Sequence, residues 1–235
     1  MAGNELADAG EPDGGAADLE AEVVDSILGV AATPGANAAE ITITIQTNHG
    51  DLEVLLNPSA GETNCAIFIG TEGAEGVYSR LASGLVDQGL TSLRIRPRVP
   101  GEFSDGVIDV LAACSFLKGI GGETAIVIGH SYAGAVAVKS GVISPFICGV
   151  AALAPQRFGT QGVESLGKPL LLIHGSDDQV LPPLASDDIF QRAQGDKQMV
   201  IIDGAGHSFR DEGERLHELL KDFILRVVAD REPGE

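Results

Sequence analysis

Tryptophan is absent from the 235-residue sequence, and aromatic residues make up only 4% of it. A core must therefore be built from Val, Ile, Leu and Ala, the usual filling of a buried parallel sheet. Positive charge is missing from the first third: no Lys or Arg precedes Arg80, whereas fourteen Asp and Glu do. From Arg80 onward twenty acidic residues face fifteen basic ones, so most of the formal net charge of −19 lies in the leading segment. No Lys/Arg stripe offers a phosphate footprint, and an acidic surface repels nucleic acid and anionic lipid, so neither is expected as a partner. Cysteine is scarce. Cys65, Cys114 and Cys148 are an odd number, in apolar surroundings, without pairing motifs or metal-ligand spacing. They read as reduced, buried thiols of a cytoplasmic protein, with no metal site and no cofactor implied. No apolar run approaches the ~18 residues of a membrane span. The opening MAGNELADAGEPDGG has neither a basic n-region nor an apolar core, so it does not read as a secretory signal.

What is present is enough apolar residue, 44%, for one sizeable core, and a length suited to one domain. Residues 1–38 are rich in Ala, Gly, Asp and Glu and read as an acidic, flexible extension. Within it Leu19, Val23, Ile27 and Val30 fall at helical spacing, so this part could form a helix that docks on the body or closes over a site as a lid, with free disorder as the alternative. The folded domain is expected over residues 39–230. ITITIQT (41–47) and DLEVLLN (51–57), separated by Asn48-His49-Gly50, predict a β-hairpin. Six short apolar runs follow, at 65–70, 92–97, 124–129, 149–155, 169–175 and 198–203. Helix-length segments lie at 75–88, 105–118, 131–141, 184–194 and 211–228. Such alternation predicts an α/β fold with a mostly parallel central sheet of about eight strands, covered by helices on both faces. The connection from Pro155 to Lys168 is too short for a cap domain, which predicts an open site.

Three segments carry chemistry. In IVIGHSYAGAVAV (126–138) a buried strand ends at Gly129 and a helix of small and branched residues begins just after Ser131. Gly129 permits a sharp turn, and the serine at its apex stands at a helix N-terminus, where positive dipole ends face a developing anion. In LLLIHGSDDQVLP (170–182) a strand delivers Asp177 and Asp178, either of which could orient a histidine through its Nδ1–H. In IIDGAGHSF (201–209) a strand and a glycine-rich turn deliver His207. Serine, carboxylate and histidine, each after its own strand, follow the chain order of one hydrolase family.

On these residues the sequence, from about 40 to 228, resembles the α/β-hydrolase superfamily, and most of all the small capless hydrolases grouped near dienelactone hydrolases and short-chain esterases. Gly129-His130-Ser131-Tyr132-Ala133 is similar to the family's G-x-S-x-G elbow, with Ala at the last position and Gly134 after it. Gly175, Asp178, Leu181 and Pro182 fit its G-x-x-D-x-x-V/L-P form, which selects Asp178 over Asp177. The resemblance implies Ser131 as nucleophile, His207 as base and Asp178 as supporting acid. It implies an oxyanion hole made by the N–H groups of Tyr132 and Thr71, although Ile69-Gly70 stands where the family often has His-Gly. The implied reaction is cleavage of an ester or thioester of a small-molecule acyl substrate through an acyl-enzyme, without a cofactor. Acyltransferases and peptidases use the same triad, and a non-catalytic binding module could keep the same fold. Arg96 and Arg98 share a strand face near its C-terminal end. They are candidates for binding an anionic substrate group, or for ion pairs with acids such as Glu102 and Asp105.

Overall fold

The computed structural model describes residues 26–37, 39–61, 63–70 and 73–231. Among these residues nine strands form one sheet. They are β1 (Ile27–Pro34), β2 (Ile41–Thr47), β3 (Gly50–Asn57), β4 (Asn64–Ile69), β5 (Thr91–Arg96), β6 (Thr124–His130), β7 (Ile147–Leu153), β8 (Leu170–Gly175) and β9 (Lys197–Ile202). Their order across the sheet is β1-β2-β3-β5-β4-β6-β7-β8-β9. β1, β2 and β3 pair antiparallel with one another, β3 pairs antiparallel with β5, and all pairs from β5 to β9 are parallel. Five helices among the described residues connect or close the parallel part: α1 (Val77–Val86), α2 (Phe103–Gly119), α3 (Tyr132–Ile143), α4 (Leu184–Arg192) and α5 (Gly213–Ala229).

The central strands alternate side chains between two apolar layers, as the period of two requires. Cys65, Ile67, Val127, Leu170 and Leu172 face the layer under α2, α3 and α4. Phe68, Ile126, Ile128, Leu171 and Ile173 face the layer under α1 and α5. α5 meets that layer with Leu216, Leu220, Phe223, Ile224 and Val227, one helical stripe, and leaves its charged face to solvent. α3 is buried almost all round, so it is built of Ala, Gly and Val: a Cβ on Gly141 would stand 2.5 Å from Val150.

Two sequence expectations change here. The sheet begins at Ile27, before the expected domain start at residue 39, and so has nine strands where about eight were expected. Ile27 and Val30, two members of the expected helical stripe, lie on β1, an edge strand hydrogen-bonded to β2; Leu19 and Val23 lie outside the described residues. β1 is five strands away from β6, so this part of the stripe does not cover the end of β6. The antiparallel side is tied down by a buried ion pair between Glu40 and Arg94, each side chain 4% exposed. Removing Arg94 would leave the buried Glu40 carboxylate without this counter-charge, at a cost of about 3–5 kcal/mol. Among the described residues no helix is long and apolar enough to cross a membrane.

Candidate active site

β6 leads directly into α3 through Ser131, which holds φ 59° and ψ −124°. A serine with positive φ is strained, and the strain projects its Oγ from the apex of the turn. Gly129 is obligatory for this approach, because a Cβ there would lie 2.0 Å from the Ala133 carbonyl oxygen. The Ser131 N–H donates to the Leu153 carbonyl at 2.8 Å, which pins the turn to the end of β7. Tyr132 is the first residue of α3, so its N–H has no acceptor within the helix.

β8 ends at Gly175, where a Cβ would lie 2.1 Å from the Ala205 carbonyl oxygen. This contact brings the turn after β9, and with it His207, against the turn after β8. The Asp178 side chain is fully buried. Its Oδ1 accepts the N–H groups of Val180 and Leu181, both at 2.8 Å. Its Oδ2 accepts the Nδ1–H of His207 at 2.7 Å. Burial pushes this carboxyl upward, but the amide of Leu181, His207 and the amide of Val180 together pull it below the ordinary carboxylate range. Asp177 instead accepts the Ser176 hydroxyl at 3.1 Å, at an exposed position. The opposite ring nitrogen of His207, Nε2, accepts the Ser131 hydroxyl at 2.9 Å. With Nδ1 protonated toward the carboxylate, Nε2 is free to take the serine proton. The structure thus brings Ser131, His207 and Asp178 into one hydrogen-bonded chain.

His130, next to the serine, is mostly buried behind it. Its Nε2–H donates to the His207 carbonyl at 2.8 Å, and its ring lies 5.0 Å from that of His207 and 5.7 Å from that of Phe209. Burial lowers its pKa below the ordinary histidine value, and the hydrogen bond to the His207 carbonyl offsets only part of that effect. It therefore staples the histidine turn to the elbow in its neutral form.

Thr71, the other expected oxyanion donor, lies outside the described residues; Gly70 (φ 120°) and Gly73 (φ 66°) flank its loop. Arg96 and Arg98 are engaged elsewhere. Arg96 pairs with Glu53, its register partner on β3. Arg98 pairs with the buried Asp109 of α2 and donates to Thr47 Oγ1 at 3.0 Å. This is the ion-paired alternative, with partners other than the sequence neighbours Glu102 and Asp105. Between β7 and β8 the only helical structure is a 3-10 turn at Val163–Ser165, and Phe158 stands exposed in the same connection. Among the described residues no three His, Cys, Asp or Glu side chains converge as a metal site would require.

A sequence model of the family described as serine aminopeptidase, S33, matches residues 148–214, a stretch that holds Asp178 and His207 and begins after Ser131. No curated protein sequence matches the chain. Solved structures do. Est1E from Butyrivibrio proteoclasticus superimposes with a TM-score of 0.68 at 17% identity, over 80% of this chain and 99% of that one. Dienelactone hydrolase from Anabaena variabilis gives 0.69 at 18% identity, over 80% and 97%. An α/β serine hydrolase without a lid from Xanthomonas campestris gives 0.65 at 19% identity, over 83% and 97%. The chain has the α/β-hydrolase fold.

Proposed function

We propose that the chain is a serine hydrolase that cleaves a carboxylic ester or thioester of a small acyl substrate. The observation that carries this reading is the chain of contacts from Ser131 Oγ to His207 Nε2 at 2.9 Å and from His207 Nδ1 to Asp178 Oδ2 at 2.7 Å, on a strained elbow. His207 takes the hydroxyl proton as Ser131 Oγ attacks the carbonyl carbon. The oxyanion rests on the N–H groups of Tyr132 and Thr71, each worth roughly a hundredfold to a thousandfold in rate. His207 then gives the proton to the departing alkoxide or thiolate, and water repeats the sequence in reverse to free Ser131. Asp178 holds the imidazole in the required tautomer and stays ionised throughout. No step calls for a cofactor. Three free, buried cysteines fit a reducing, cytoplasmic setting.

A fluorophosphonate probe tests the reading, since it phosphonylates only an activated serine. Labelling of the unsubstituted protein, lost in Ser131→Ala, is expected. An unlabelled, folded protein would instead be a binding scaffold. A peptidase on the same residues is the second reading, favoured by the match to the serine aminopeptidase family. Comparing hydrolysis of p-nitrophenyl esters with that of amino-acid p-nitroanilides separates the two.

A further inference from the structure

His174, the penultimate residue of β8, is fully buried and plays no part in the proton transfers just described. Its Nδ1 lies 2.7 Å from Ser186 Oγ, itself fully buried in α4. Its Nε2 lies 2.9 Å from the Leu181 carbonyl oxygen and 3.2 Å from Asp178 Oδ2. Both neighbours of Nε2 are acceptors, so Nε2 must carry the proton, and the neutral ring then accepts the Ser186 hydroxyl at Nδ1.

We propose that His174 is a positioning residue: a second imidazole that shares the Asp178 carboxylate with His207 and fixes its plane. Its consequence for catalysis rests on the hydrolase reading, whereas the shared carboxylate rests on geometry. Asp178 then accepts three hydrogen bonds, from Val180 and Leu181 on Oδ1 and from His207 on Oδ2, while the Nε2–H edge of His174, hydrogen-bonded to the Leu181 carbonyl, lies 3.2 Å from Oδ2. Two amides on one oxygen leave the carboxylate able to swing its other oxygen about them. The His174 ring edge, held by the Leu181 carbonyl 3.2 Å short of Oδ2, limits that freedom, and Ser186 keeps the His174 proton on the nitrogen that lies beside the carboxylate. The titratable groups around His174 are Asp178 and, beyond it, His207 and His130. A plain loop staple would need only the Leu181 and Ser186 contacts, and it would leave the electronic state of Asp178 untouched.

Three variants test this. His174→Phe keeps the ring volume and removes the donor. His174→Gln restores an N–H near the position of Nε2. Ser186→Ala leaves the imidazole in place and removes only its tautomer partner, so the test survives if the buried phenyl ring prevents folding. On p-nitrophenyl acetate, His174→Phe is expected to lower kcat roughly tenfold, in keeping with loss of an outer partner of a functional residue, with KM little changed. The acid limb of its pH profile should move to higher pH, because a carboxylate that has lost the N–H dipole beside Oδ2 attracts the neighbouring imidazolium more strongly. His174→Gln should recover most of both effects, and Ser186→Ala should show a smaller change in the same direction. The far-downfield proton resonance of His207 Nδ1–H should shift in step, with or without turnover. Unchanged kcat, acid limb and resonance in His174→Phe and Ser186→Ala would overturn the proposal. So would a Gln variant no better than Phe, both tracking loss of melting temperature. If the unsubstituted protein neither labels nor hydrolyses esters while the resonance still responds to His174, the hydrolase reading fails and the shared carboxylate stands. If labelling is normal and the resonance ignores His174, the shared carboxylate fails and the hydrolase reading stands.

Discussion

At the amino-terminal edge of the sheet the turns entering β4, β5, β6, β8 and β9 pass through Gly61, Gly89, Gly121, Gly167 and Gly195, each at positive φ. At the carboxyl-terminal edge four residues with side chains adopt that conformation: Ser131 after β6, Ala154 after β7, and Phe209 and Asp211 after β9. Both edges reverse the chain, yet only one keeps the strain. An L-residue in the left-handed region costs roughly 1–2 kcal/mol, which glycine avoids. Where a turn only connects, glycine relieves the cost. Where a side chain must stand at a fixed point, as Ser131 does, the cost is retained and the surrounding hydrogen bonds hold it.

The most severe test of this contrast is replacement of the serine in two ways. Ser131→Ala and Ser131→Gly should both abolish probe labelling and ester hydrolysis. Ser131→Gly should also unfold at higher temperature than Ser131→Ala, by about 1 kcal/mol, because it relieves a φ of 59°. Equal melting of the two would mean the elbow stores nothing.

Next in size is Asp178→Asn. Its amide would face the His207 Nδ1–H, forcing the wrong tautomer, and kcat should fall about 10⁴-fold. Asp177→Asn, one residue away but hydrogen-bonded to Ser176, should leave kcat nearly unchanged. A crossover of these two results would break the assignment of the carboxylate.

His130 gives a smaller, pH-dependent effect. Burial holds its folded pKa below the ordinary 6.5. As pH falls below that value the unfolded chain takes up a proton that the folded chain refuses, so stability declines until pH reaches the folded pKa. Above it the group contributes no slope. Melting temperature followed against pH should show this decline, and His130→Gln should flatten it. A slope identical in the variant would assign the effect to other groups.

The smallest effect belongs to the other edge. Gly195 holds φ 82° with open space around it, so Gly195→Ala should cost about 1 kcal/mol in chemical denaturation and leave the labelling rate untouched. Any loss of activity would mean that the two edges are less independent than their backbones suggest.

Much of the parallel sheet was legible because its strands are continuous apolar runs bounded by turn residues, as at TAIVIG (124–129) and PLLLIHG (169–175). β1 was not. ILGVAATP has weak strand propensity, and its Ile27 and Val30 continue a helical spacing from Leu19 and Val23; only pairing with β2 makes it extended. The serine, aspartate and histidine could be picked out because each sits in a local strand-turn signature. The partners of Arg96 and Arg98 could not, because β3–β5 register and the face of α2 set them, and neither is local in sequence. His174 reads only as a strand-end histidine; its contact with Asp178 exists because the turn after β8 folds back over the ring.

The three free thiols, buried in the packed layers, offer a clock for breathing motions. Cys65 and Cys114 belong to the layer under α2, α3 and α4, and Cys148 to the layer under α5. Burial pushes Cys65 and Cys114 up to about 12 and raises Cys148 as well, so in the closed molecule none offers appreciable thiolate near neutrality. Alkylation must then wait for an opening, and its rate under slow reagent counts the fraction of time each layer spends open. Modification of Cys148 ahead of the other two would show α5 lifting by itself. Simultaneous modification of all three would show that both layers part only when the whole molecule does.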